Sequence, residues 1–389
     1  YFESEPERAK VAALASWLEA AVPGAAPADG RLERSIALVA MYRPLRTVRG
    51  IEALLARRHA SGAFERLLQR TVAEALEERD LAAGIGSLGE IGDRDSMQVR
   101  AQYEENPYPR WLSYDKWPAG SVADWIAEEV PAPHAQQGFA PDSRLLVAGC
   151  GTGIETVSLA TRMPEARITA LDLSRASLAY AKRMALKFGL RNVEFLHGDI
   201  LGLGGIEQRF DLLYSTGVLH HLREPSAGVR ILAGLLRPGG LMKLGLYSRR
   251  ARAGLAVARE LARQQGLSPD LTSIREFRRQ VLYSPQGSPL RGLLRYTDFF
   301  TTSGCRDLVF NVLEHEFALP QAGDMLREAG LEVLGLGQLP AGVAAAFDAM
   351  YPGGGMRADL QAWDAFEERH PDTFIAMFHL WARRPFQTV

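Results

Sequence analysis

"LLVAGCGTGIETVSLA", Leu145 to Ala160, runs from an apolar strand through three glycines at alternate positions into an apolar-periodic helix. Gly149, Gly151 and Gly153 let the backbone turn sharply and approach a ligand with no β-carbon in the way. The helix that follows offers unpaired N–H groups and the positive end of its dipole, so a polar or anionic group belongs there. A dinucleotide loop reads G-x-G-x-x-G, but Ile154 stands at the third glycine's place and the spacing is G-x-G-x-G. That disfavours a pyrophosphate. Asp172 ends the second strand, 19 residues past Gly153, where a carboxylate can accept both hydroxyls of a ribose. The expected ligand therefore carries a nucleoside.

Outward from this loop, the pattern from Ser143 to Ser248 alternates strands with helices. The strands are "RLLVAGC", "RITALDL", "VEFLHGD", "FDLLYST" and "LMKLGLYS"; the helices are "IETVSLATRM", "SRASLAYAKRMALKFG" and "PSAGVRILAGLLRPGG". Near-continuous apolar strands between helices imply a parallel sheet with right-handed crossovers. A helix "LPQAGDMLREAG", a strand "LEVLGLGQL" and a closing strand "TFIAMFHLWARR" follow later. The expected fold class is α/β: a Rossmann-like sheet, mostly parallel with its last strand antiparallel. Five regions follow: a helical domain at 5–96, an aromatic and proline-rich connector and lid at 97–140, the core at 141–248, a helical cap insertion at 249–316, and the end of the core at 317–389. The helical domain carries no tetratricopeptide period.

Composition narrows the partners. Basic residues number 45 and acidic ones 46, 40 of the former being Arg, so no global field holds the chain on nucleic acid or an anionic membrane. Two cysteines, Cys150 and Cys305, exclude a disulfide framework and suit a reducing cytosol. No apolar run of membrane-spanning length and no signal pattern is found, and a cytoplasmic location is the expectation.

The motifs "GCGTG", "LDLS", "HGDI", "FDLLYSTGVLHHL" and "LLRPGGLM" resemble those of the class I S-adenosylmethionine-dependent methyltransferases. "VRAQYEENPYPRW" and "DFFTTSGCRDLVFNVLEHEFALPQ" resemble a bacterial subgroup of that family often fused to tetratricopeptide repeats. The resemblance implies S-adenosylmethionine as cofactor and S-adenosylhomocysteine as product. It implies that Gly149, Cys150, Gly151 and Gly153 wrap the methionine part, that Asp172 with Leu173 holds the ribose, and that Asp199 with Ile200 holds the adenine. Ser215 and Thr216 would run along the sulfonium. The family usually carries an acid two places before the first glycine, where this chain has Val147. Backbone carbonyls near Ala148 and Gly149, with Ser215 or Thr216, are expected to hold the cofactor's ammonium instead; Glu155 in that role would contradict this.

The acceptor side is read from residue chemistry. His220 and His221 lie past the fourth strand, and imidazole can take a proton from an O–H or N–H acceptor; alternatively one of them caps or packs under the next helix. Tyr103, Tyr108 and Trp111 either rim the cofactor or brace the helical region, with Arg110 reaching an anionic group. Arg100 is either a ligand for the cofactor carboxylate or a surface ion pair. Tyr247 and His315 are candidate acceptor contacts, although Glu314, His315 and Glu316 read first as a strand or turn with alternating exposed charges. No metal is expected, because nothing near the histidine pair supplies the remaining ligands. The expected reaction is in-line methyl transfer to a small-molecule or peptide-derived acceptor. A protein or peptide methyltransferase and a non-catalytic S-adenosylmethionine-binding module are the alternatives, and the oligomeric state is open.

Overall fold

The computed structural model describes residues 4–24, 26–89, 91–131, 138–340, 342–352 and 356–386. It divides into two compact units, 1–84 and 85–389.

In the first unit α1 (Glu5–Ala21), α2 (Gly30–Ala40), α3 (Gly62–Leu68) and α4 (Glu74–Ala83) are joined by short helical turns. Ser4 and Glu7 form a capping box at α1, and Asp29 caps α2 by accepting from the Arg31 and Leu32 N–H groups, which satisfies donors the helix itself leaves unpaired. Leu18, Ile36, Leu45, Phe64 and Leu68 build this unit's own core.

The second unit is an eight-stranded sheet ordered β1-β4-β3-β2-β5-β6-β8-β7. The strands are β1 (Gly86–Leu88), β2 (Arg144–Ala148), β3 (Arg167–Asp172), β4 (Val193–Gly198), β5 (Phe210–Thr216), β6 (Leu236–Tyr247), β7 (Glu332–Gly337) and β8 (Met377–Arg383). Pairing is parallel from β1 through β6, and β8 runs antiparallel to both β6 and β7. The expected α/β class holds. Leu145 through Ala148 are at most 2% exposed, as a strand covered by helices on both faces requires.

The helices of this unit are α5 (Arg94–Glu105), α6 (Val122–Glu129), α7 (Ile154–Arg162), α8 (Arg175–Lys187), α9 (Pro225–Leu235), α10 (Ala253–Gln264), α11 (Leu271–Leu282), α12 (Thr302–Phe310), α13 (Leu319–Glu328), α14 (Val343–Met350) and α15 (Leu360–Arg369). Ser174 caps α8 by accepting from the Ser177 N–H. Between α10 and α12 the insertion packs Leu255, Ile274, Phe277, Phe299 and Leu308 into a separate core.

Three details depart from the sequence reading. The division falls after Gly84, not after residue 96, because Gly86–Leu88 pairs with Leu196–Gly198 as an edge strand. Much of the supposed connector is helical, in α5 and α6, since Asp93 and Ser121 supply N-caps. The helix before β6 stops at Leu235, and "RPGG" lies in the strand. There a bulge interrupts the pairing with β5, Pro238 has no N–H to donate and Gly239 takes φ 76°. The first three and last three residues of the chain, and 132–137 of the connector, lie outside the described residues.

Candidate functional site

After β2 the chain proceeds outward to β3 and β4 on one side, then returns to β5 and β6 on the other. Ligands bind at such a switch point, beyond the carboxyl ends of the strands, and a cavity of about 510 Å³ opens there, within the range of small-molecule sites.

The glycine loop forms one wall. Its three glycines have φ of 80°, 52° and 82°, a region that L side chains rarely adopt. Their environments differ. A β-carbon on Gly149 would sit 2.3 Å from Val218 Cγ2, and one on Gly153 would sit 2.5 Å from Ala181 Cβ, whereas at Gly151 nothing lies nearer than the Tyr108 carbonyl at 4.0 Å. The outer glycines pack the loop against the protein, and Gly151 leaves open space. Cys150 lines the cavity as well; burial, and then the Asp172 charge, push its thiol well above its ordinary range.

Asp172 and Asp199 end β3 and β4 facing this cavity. Asp172 accepts from Gly151 N at 2.7 Å through Oδ2 and from Ser174 N at 2.9 Å through Oδ1. The Leu173 N–H contributes as well, and the acceptor capacity that remains suits ligand hydroxyls. Burial outweighs these bonds and lifts the carboxyl to about 6. Asp199 is 2% exposed and accepts from Leu201 N at 2.9 Å, leaving its other oxygen for a donor such as an exocyclic amine. Leu173 and Ile200 line the same end, and Thr216 lines the glycine-loop side. Ser215 is fully buried and its hydroxyl lies off the wall.

At the opposite end the insertion contributes two carboxylates that sequence reading did not pick. Tyr103 donates to Asp307 Oδ1 at 2.7 Å, and Asn311 donates to the same oxygen at 3.2 Å. Tyr108 donates to Asp298. Burial is the main cause that raises Asp307, and it also holds the Tyr103, Tyr108 and Tyr247 phenols above their ordinary range.

His221 faces this end, and Leu313 O lies 2.7 Å from its Nδ1. A carbonyl only accepts, so the proton sits on Nδ1 and Nε2 bears the free lone pair. His220 does not line the cavity. It is fully buried, stacks on Tyr247 with ring centroids 3.9 Å apart, and has neither ring nitrogen hydrogen-bonded; burial drives its pKa well below the ordinary value. Its expected catalytic role is corrected: it supports the Tyr247 ring from behind.

Four other candidates also stand off the cavity. Trp111 is a brace, donating from Nε1 to Thr152 O at 3.0 Å and stacking on Phe188. Arg110 lies over the Tyr180 ring at 4.6 Å. Arg100 lies close enough to His197 to help lower its pKa, after burial and Arg175. His315 donates its backbone N–H to His220 O at 2.9 Å, while Glu314, 3% exposed at its side chain, pairs with Arg252 at 2.7 Å. "LEHEF" thus ties the insertion down. Cys305 is buried, which pushes its thiol up to about 12.

Residues 145–240 match the family described as "Methyltransferase domain". An uncharacterised protein from Synechococcus sp. is 34% identical over 173 residues, 43% of this chain and 41% of that one. The trans-aconitate 2-methyltransferase of Deinococcus radiodurans is 42% identical over 105 residues, 26% of this chain and 37% of the enzyme. The chain thus spans less than half the length of these curated relatives. The solved structure of PKMT2 from Rickettsia typhi in complex with AdoHcy aligns with a TM-score of 0.53 at 16% identity, over 73% of this chain and 55% of that one, a likeness of fold. Residues 145–240 are therefore similar to a methyltransferase domain, and they lie on a Rossmann-like sheet.

Proposed function

We propose that the chain transfers the methyl group of S-adenosylmethionine to a small-molecule or peptide-derived acceptor, leaving S-adenosylhomocysteine. The anchored Asp172 carboxylate carries this reading: backbone N–H groups of Gly151 and Ser174 fix it at the cavity wall, where its remaining acceptor capacity suits a ribose. Gly151 supplies close backbone approach, and Asp199 with Ile200 receives the base. The cofactor would bring an already activated methyl, so the protein's task is to position and desolvate.

The acceptor end is built for a proton-bearing nucleophile. His221 Nε2 is the base that takes the proton, and the Leu313 carbonyl fixes the tautomer. Among the described residues no Arg or Lys side chain lines the cavity. An anionic acceptor finds no counter-charge there, so the acceptor is neutral or cationic.

Isothermal titration with S-adenosylhomocysteine tests the cofactor assignment: the wild-type chain binds it and Asp172→Ala loses at least about tenfold in affinity, as expected when a charged hydrogen-bond partner is removed. Binding of NAD with no affinity for S-adenosylhomocysteine would refute the assignment. For the base, homocysteine release over a panel of amines and alcohols is expected to fall about 10²- to 10⁴-fold in His221→Ala, with S-adenosylhomocysteine affinity retained.

A further inference from the structure

Val147 occupies the strand position where the resembled family carries an acid, and it is 2% exposed among Leu159, Tyr214 and Trp381. A carboxylate nevertheless reaches this end of the cavity. Glu155, two residues past Gly153 in the first turn of α7, lines the wall together with Val147, Thr216, Gln338 and His379.

The charges around Glu155 do not balance. Lys243 of β6 is 0% exposed and is paired with Glu129 of α6 at 3.1 Å. Its charge still reaches Glu155, as does that of Glu129. His379 of β8 supplies no positive charge at neutral pH, because burial and then Lys243 push its pKa down to about 4. Two half-buried carboxylates thus face one buried ammonium, and desolvation pushes Glu155 up. Glu155 has the Thr216 hydroxyl beside it; of the other four wall carboxylates, Asp172 and Asp199 stand at the nucleoside end, and Asp298 and Asp307 at the insertion end, where Tyr108 and Tyr103 donate to them. Glu155 is thus the wall carboxylate at the glycine-loop end, and the Lys243 ammonium whose charge reaches it is already paired with Glu129.

We propose that Glu155 is the counter-ion of the α-ammonium of S-adenosylmethionine and S-adenosylhomocysteine, the subsite having moved from β2 to the first turn of α7. This rests on the cofactor reading above and replaces the expectation that backbone carbonyls with Ser215 or Thr216 hold that group. Ser215 is off the wall, and neutral oxygens do not repay the charge imbalance.

A binding cycle on the full chain tests it without any turnover. Two probes, S-adenosylhomocysteine and its des-amino analogue lacking only the α-ammonium, are titrated calorimetrically into wild type and Glu155→Gln. Wild type is expected to prefer S-adenosylhomocysteine by about 10- to 100-fold, the scale of a charge-assisted hydrogen bond, and the variant is expected to bind both alike, the des-amino probe as in wild type. Equal preference in wild type and variant overturns the proposal. So does a variant that weakens both probes equally. If wild type binds neither probe, the cofactor reading falls and Glu155's role falls with it; if S-adenosylhomocysteine binds and the preference survives in the variant, only Glu155's role falls.

Discussion

At the scale of single residues, Gly151 and Gly153 both sit at positive φ but call for opposite outcomes on substitution. A methyl at Gly153 meets Ala181 Cβ at 2.5 Å. Gly153→Ala should therefore lose about 2–4 kcal/mol of stability from strain plus overpacking, visible as a lowered melting temperature. Gly151→Ala meets nothing within 4.0 Å except the Tyr108 carbonyl; its expected signature is a smaller drop in melting temperature, from the positive φ alone, with weakened S-adenosylhomocysteine binding, and the reverse ranking would contradict the division of labour. Asp172 offers a pH test. Its carboxyl is lifted to about 6 by burial, and the ionised form accepts the hydroxyls, so affinity should hold above that value. As pH falls through about 6, affinity should drop by up to about tenfold per unit. Asp172→Asn should bind weakly and lose most of that slope; a flat wild-type profile from pH 7.5 to 5 would refute the role. The glycines and Asp172 were legible because spacing alone sets where they stand. Which histidine faces the cavity was not legible. Leu219–His221 forms a single 3₁₀ turn in which neighbours diverge by about 120°, and only Leu313, 92 residues further on, marks His221 as the one held for use.

At the scale of elements, the insertion turns out to be a part of the site wall with a core of its own. Asp307 on α12 and Asp298 before it carry no motif that singles them out in the sequence. Their partners Tyr103 and Tyr108 lie 204 and 190 residues away, beyond any local periodicity. "LEHEF" attracted attention for its charges, yet Glu314 serves α10. It joins Arg252 and Arg259, and the side chains of Arg252 and Glu314 are both 3% exposed. Removing one partner of a buried pair leaves the other charge uncompensated. Glu314→Ala is thus expected to cost about 3–5 kcal/mol, measured by urea unfolding, whereas Arg295→Ala should cost under about 1 kcal/mol, because Arg295 and Asp372 pair at 2.8 Å with 50% and 80% of their side chains exposed. Equal losses would show that the Arg252 and Arg259 network does not anchor the insertion. The alternation of strands and helices in 143–248 was readable because burial on both sheet faces imposes a continuous apolar run. β1 was missed because three residues, Gly86 to Leu88, are too few to display a period and none is buried.

For the whole molecule, the question is where the unit that holds the cavity begins. Every residue on the cavity wall lies at Ser96 or beyond, so a cut at residue 96 looks harmless from the site alone. The architecture says otherwise. Residues 85–96 carry β1, which covers the edge of β4, and Arg175 at the start of α8 donates to Ile85 O at 2.8 Å and to Ser87 Oγ at 2.6 Å. Asp93 caps α5 through Ser96 N at 2.8 Å, and Asp95 pairs with Arg223. Losing an N-cap alone costs about 1 kcal/mol, and a bared parallel strand exposes a row of unpaired backbone groups. Since α5 also carries Tyr103, the partner of Asp307, damage there should reach the site. A chain of residues 85–389 is expected to melt cooperatively and bind S-adenosylhomocysteine with wild-type affinity, because the first unit has its own core and the sheet keeps its edge. A chain of residues 97–389 should melt several degrees lower, aggregate more readily and bind more weakly. If the two truncations behave alike, β1 and the α5 cap are dispensable. If 85–389 fails to bind while the full chain binds, the first unit takes part in forming the site.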